Sequence, residues 1–196
     1  MNIRHIIGGF ALFAGLSAGK VSAQEVAVKS NLLYDAAATM NVGVEAGLSP
    51  RWTMDFSVNY NGWTMSDDRK WKHWLLQPEA RYWFCDRFGG HFMAVHALGG
   101  QYNIGGVGTS FNFLGKVDPE FSKRRYQGWF IGAGVAYGYA WILNRHWNLE
   151  AELGIGYVYT RYDSYPCATC GKKLEDNKPH HYLGPTKAAI NLVYLF

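Results

Sequence analysis

Two arms of strict alternation, joined by a tight turn, constrain this chain more than any other feature. Every second residue from Trp129 is bulky or apolar (Trp129, Ile131, Ala133, Val135, Tyr137, Tyr139, Trp141), and those between are Phe130, Gly132, Gly134, Ala136, Gly138 and Ala140. After Asn144 and Arg145 the pattern resumes, with Trp147, Leu149, Ala151, Leu153, Ile155, Tyr157 and Tyr159 against Asn148, Glu150, Glu152, Gly154, Gly156 and Thr160. A two-residue period sustained on both arms is the pattern of a long antiparallel hairpin. Size decides which face is inside. A barrel of about eight strands has a lumen just wide enough to be filled by side chains, and two Trp and two Tyr per strand would overfill it. The aromatic row is therefore expected to face outward, and the Gly, Ala and carboxylate row inward. Trp129 and Trp141 are twelve positions apart, as are Trp147 and Tyr159. At about 3.3 Å per residue and a tilt near 40° this is roughly 30 Å, close to the apolar band of about 25 Å between the aromatic girdles of an outer-membrane barrel.

The N-terminus agrees with that compartment. Arg4 opens a positive start, Ile6 to Ala18 is apolar, and Val21-Ser22-Ala23 offers small residues for cleavage, so residues 1–23 read as a secretory signal peptide and residues 24–196 as one barrel domain. The apolar run of about 13 residues is too short for a helix that must cross a bilayer with about 20. Removing Arg4 and Lys20 lowers the formal charge from +4 by two to +2, a balance that gives no reason to expect nucleic acid as a partner. A mean hydropathy of −0.17 suits a strand set with one polar and one apolar face.

The remaining segments fit six further strands. Val26 to Ala36 forms the first, with Lys29, Asn31 and Asp35 inward; Asn41 to Leu48 the second, with Glu45 inward; and Trp52 to Asn61 the third, with Trp52 and Tyr60 outward and Asp55 inward. His73 to Phe84 is the fourth, with Glu79 and Arg81 inward and a bulge expected at Pro78, which cannot donate to a ladder. His91 to Ile104 is the fifth, its parity left open by Gly99 and Gly100, and Thr186 to Phe196 closes the chain, with Lys187 inward. Turns at Ser49-Pro50-Arg51, Cys85 to Gly90 and Asn144 to His146 are short, whereas Gly105 to Lys123 and Tyr162 to His181 read as long loops. Short turns at one end and long loops at the other match periplasmic turns and extracellular loops. The fold expected is all-β: an eight-stranded antiparallel transmembrane β-barrel, an up-and-down meander with both termini periplasmic. The last strand ends on Tyr194 and Phe196, which resembles the C-terminal signal read by the barrel-assembly machinery.

Three constellations could carry chemistry. The inward set places the acids Asp35, Glu45, Asp55, Glu79, Glu150 and Glu152 against Lys29, Arg81 and Lys187. Buried unpaired charge is costly, so this set reads as an ion-pair network filling the lumen, with a proton or cation path as the functional alternative. Cys167 and Cys170 have the C-x2-C spacing of a zinc site, with His180 and His181 following, but in a secreted loop a local disulfide stapling the turn is the plainer reading, with free thiols the remaining alternative. His73 with Ser66 and Asp67 or Asp68 could form a catalytic group by proximity alone.

Asn31-Leu32-Leu33-Tyr34-Asp35, Trp71-Lys72-His73-Trp74 leading into Gln77-Pro78-Glu79-Ala80-Arg81-Tyr82, His96 to Tyr102, and Gly184-Pro185-Thr186-Lys187 give the chain a resemblance to a Bacteroidetes outer-membrane barrel family catalogued only as a domain of unknown function. That resemblance implies no catalytic residue and no cofactor, and some members are similar in context to genes for surface fimbriae. The expectation is a non-enzymatic barrel of the outer membrane of a Gram-negative bacterium, with a structural or surface-interaction role through its long loops. Its partners would be outer-membrane lipid, the assembly machinery and a surface or fimbrial protein; the alternative is a barrel enzyme that modifies lipid or handles a small ligand.

Overall fold

The computed structural model describes residues 26–63, 70–105, 124–166 and 172–196. Eight antiparallel strands follow one another around a closed barrel: β1 (Val26–Asn31), β2 (Met40–Ser49), β3 (Trp52–Asn61), β4 (Lys70–Trp83), β5 (Gly90–Gly105), β6 (Arg125–Ile142), β7 (Trp147–Tyr165) and β8 (Glu175–Leu195). A five-residue helix, α1 (Leu32–Ala36), lies between β1 and β2. Closure comes from β1 pairing with β8, Ala27 opposite Leu195 and Asn31 opposite Asn191. At the short-turn end the Phe196 amide donates to the carbonyl of Val26, the first described residue, at 3.1 Å. The turn before β5 needs left-handed backbone, and Gly90 supplies it at φ 78°.

Strand length is uneven. β1 to β3 have 6 to 10 residues, while β6, β7 and β8 have 18, 19 and 21. One side of the wall therefore stands well above the other. At about 3.3 Å per residue and a tilt near 40°, β6 gains roughly 45 Å of height, against an apolar band of about 25 Å.

Four sequence expectations change. The first strand stops at Asn31, five residues early, because the Asn31 side chain accepts the Leu33 amide at 3.1 Å and caps α1. Asp35 consequently leaves the lumen: it is exposed on α1 and bonded to Ser30 and Asn41. Most of the segment expected as a loop from Tyr162 to His181 is strand, with β8 beginning eleven residues before Thr186. Pro78 makes no bulge: the ladder to β5 lapses at Gln77 and Pro78 and resumes in the same register, while the ladder to β3 is complete. The bulge lies instead after Pro185, where the β7–β8 register shifts between Gly154 and Ile155. In β5 the alternation continues through Gly99 and Gly100, with Leu98 and Tyr102 inside and Val95 outside.

The interior is stacked in layers. Trp83, Phe88, Phe92, Val193 and Leu195 close the short-turn end, and Leu75, Leu98 and Val158 close the other, beneath a cap of Tyr102, Ile104, Tyr126 and Tyr162. Between them lies a layer of buried charge.

Candidate functional site

Arg81 is the hub of the charged layer. Burial of a guanidinium is tolerable only when its donors are spent on acids, and here they are. Nε reaches Glu79 Oε1 at 2.6 Å, Nη2 reaches Glu152 Oε2 at 2.8 Å, and Nη1 lies 2.9 Å from Glu45 Oε2 and 3.0 Å from Glu150 Oε2. The Phe92 ring covers the guanidinium at 4.6 Å. Lys29 pairs with Glu45 and lies 3.5 Å from both Asp55 and Glu150; Lys187 lies 2.6 Å from Glu79 and 3.1 Å from Glu152. Five carboxylates face three cations, so the layer holds two acids more than bases. Neutral donors help: Thr53 donates to Glu45 and is itself held by the Trp83 indole at 2.9 Å, and Asn191 reaches Glu150 at 3.4 Å.

The strands deliver these groups by parity, and the glycines of facing strands make the room. A Cβ on Gly43 would sit 2.7 Å from the Lys29 side chain, one on Gly154 2.9 Å from the His96 ring, and one on Gly138 2.3 Å from Phe92. His96 enters the layer from β5, 3.9 Å from Glu79 and 2.9 Å from Thr186 Oγ1. Its role was not legible in the sequence, because the parity of β5 was open there.

The outer face is the inverse. Trp129 and Trp141 are 42% and 46% exposed, whereas Trp83, whose parity points inward, is fully buried. Trp52, Tyr60 and Trp147 are exposed as well, and Tyr159 is half-buried between Trp129 and His181. Near the upper end of the wall the register aligns two rows of outward side chains. One runs Tyr60, Trp74, Gln101, Trp129 and Arg161; the next row up runs Lys72, Asn103, Gln127 and Asp163. Together with Asn61, His73, Tyr102 and Tyr162, which alternate with them along the strands, they line a depression of about 460 Å³. Arg161 Nε donates to Tyr159 Oη at 2.7 Å.

Beyond that ring, β7 and β8 rise into a polar hairpin tip. Asp163 accepts the Asn177 amide at 2.8 Å and lies 2.9 Å from Lys173 Nζ. The backbone donor and then the lysine hold the Asp163 carboxyl below its ordinary range, and Asp176 and Asp163 together raise Lys173. Asn177 takes left-handed backbone, φ 49°, at the register shift between Tyr162 and Ser164.

A family described as a protein of unknown function, DUF3575, has a model that matches residues 9–196. The chain belongs to that family. No curated protein and no solved structure matches it. Within this DUF3575 barrel the inward residues Lys29, Glu45, Asp55, Glu79, Arg81, Glu150, Glu152 and Lys187 come together as one network, and Asp35 does not. His180 and His181 are separated, since neighbours in a strand point to opposite faces: His181 lies outside against Tyr157, and His180 is partly buried. Cys167 and Cys170, Ser66, Asp67 and Asp68, the segment 106–123 and the expected signal peptide lie outside the described residues. His73 is partly buried on β4, opposite Asn61 and Tyr102. At the closing strand, Tyr194 packs on Trp147 and Phe196 at 5.0 Å from each.

Proposed function

We propose that this chain is a non-enzymatic barrel of a Gram-negative outer membrane, with its short turns and both termini in the periplasm and its tall β4–β8 side projecting from the cell. The observation that carries this reading is the pairing of opposites across one wall: exposed aromatic and aliphatic side chains outside, charge inside. Val42, Val44, Phe56, Val95, Ile131 and Leu153 are all exposed on the outer face. In water such a belt would far exceed the apolar patches a soluble monomer tolerates; in acyl chains it is the stable arrangement. No helix among the described residues is long and apolar enough to cross a membrane. Among the described residues the interior is filled by stacked layers of side chains, which suits an anchor or docking barrel better than a porin. Segment 106–123 and the β7–β8 tip would be the surface offered to an envelope or fimbrial partner, with Tyr194 and Phe196 serving assembly.

The test is topological. A tag inserted after Lys116 in the chain expressed by a Gram-negative host should be labelled by antibody on intact cells, and one after Phe196 only once the outer membrane is opened. Labelling of the second tag on intact cells would overturn the orientation. Enzymatic action on lipid would show as an altered lipid A profile between cells with and without the gene; an unchanged profile is expected.

A further inference from the structure

We propose that the depression on the upper outer wall is a binding site for the headgroup of a glycolipid phosphorylated at both ends. This rests on the membrane reading above, because the wall must face a leaflet for such a headgroup to reach it. The lower row carries two indoles, Trp74 and Trp129, at the level where aromatic rings meet headgroups. One step higher the row turns polar, with Asn103 and Gln127 flanked by Lys72 on β4, while Arg161 on β7 bounds the lower row. Lys72 and Arg161 are thus three strands and one row apart, about 14 Å across the strands and roughly 7 Å along them. That gap suits two linked sugar rings carrying a phosphate at each end. The amides lie between the cations, where sugar hydroxyls would need donors and acceptors, and the indoles lie below, where acyl chains begin.

The two cations are available. Among the described residues neither makes an ion pair, and Arg161 spends only Nε, on Tyr159 at 2.7 Å. The one acid in the depression, Asp163, is taken by Lys173 and the Asn177 amide. A guanidinium with free terminal amines is the group best shaped for bidentate phosphate contact.

The mature chain is reconstituted in phosphatidylcholine discs carrying a small fraction of either a bis-phosphorylated disaccharide lipid or the same lipid with both phosphates removed. Lipid retained on the repurified barrel is counted by native mass spectrometry. The bis-phosphorylated lipid should be retained about tenfold or more over the dephosphorylated one, since each cation near a headgroup favours anionic lipid. Lys72→Gln with Arg161→Gln should abolish the preference; Lys72→Arg with Arg161→Lys should keep most of it; Lys178→Gln, on the tip above, should leave it unchanged. Equal retention of the two lipids, an unaffected Lys72→Gln/Arg161→Gln barrel, or full displacement by millimolar inorganic phosphate would overturn the proposal. Flotation of the unmodified chain reports on the membrane reading separately: a chain that enters the discs without lipid preference sinks only the headgroup site, and one that does not enter them sinks both.

Discussion

Arg81 shows how much of this molecule rests on single side chains. Its guanidinium touches four carboxylates, all fully buried. Replacing it with leucine should cost about 3–5 kcal/mol, the usual penalty for stripping a partner from buried charge. Arg81→Lys should still cost about 1–3 kcal/mol, because a point ammonium lacks the fork of donors that reaches four acids. Urea midpoints of the refolded barrel in detergent check both, and an unchanged midpoint for Arg81→Leu would show the network to be inert. Gly138 is the steric counterpart. Its Cα faces the Phe92 ring, so Gly138→Leu should cost about 1–3 kcal/mol by overpacking, and Phe92→Ala in the same chain should recover part of it. Single-residue parity was the most legible layer of the sequence: Glu45, Glu79, Arg81, Glu150, Glu152 and Lys187 were readable as lumen residues from alternation alone. Asp35 was not, because an N-cap is a local hydrogen bond that alternation does not encode.

Among the elements, β8 carries the most information. It pairs with β1 only from Asn191 to Leu195, while its pairing with β7 runs up to Glu175. Much of one edge is thus uncovered, although Asn31 bonds the Ala188 carbonyl and the Ile190 amide. Exposed edges invite pairing with other chains, and Pro179, Pro185 and the two register shifts break this one up. Pro179→Val with Pro185→Val should therefore give oligomers of the purified barrel in detergent, visible as an earlier peak in light-scattering chromatography. The same prolines hide β8 in the sequence: Pro179 and Pro185 with two histidines look like a loop, and tertiary pairing to β7 overrides that signal. Pro78 misleads in the other direction, pointing to a bulge that the strand does not make. A lapse of two pairs on one side disposes of its missing donor without an extra residue. At the tip of the β7–β8 hairpin, the depressed Asp163 stabilises the fold above the ordinary carboxylate pKa. That contribution is lost as pH falls through its lower folded value. Exchange protection of the Asn177 amide, corrected for intrinsic rate, should hold at neutral pH and drop in acid below the ordinary carboxylate range. Asp163→Asn should lose most of that pH dependence.

For the whole molecule the central claim is that the wall is apolar outside and charged inside. The layers follow from it: an aromatic plug at the turn end, the Arg81 layer, then Leu75, Leu98 and Val158 beneath a tyrosine cap. Strand number, the short-turn end and the sense of the faces were legible in the sequence, since each is a repeat along the chain. The uneven height of the wall was not, because outside an apolar band neither face needs to be greasy and alternation fades. Single-tryptophan variants keeping only Trp52, Trp129, Trp141 or Trp83, reconstituted in bilayers with brominated acyl chains, test the claim most directly. Emission from Trp52, Trp129 and Trp141 should be strongly quenched and that from Trp83 spared. A quenched Trp83 with the other three spared, or a chain that stays in water without detergent, would contradict it.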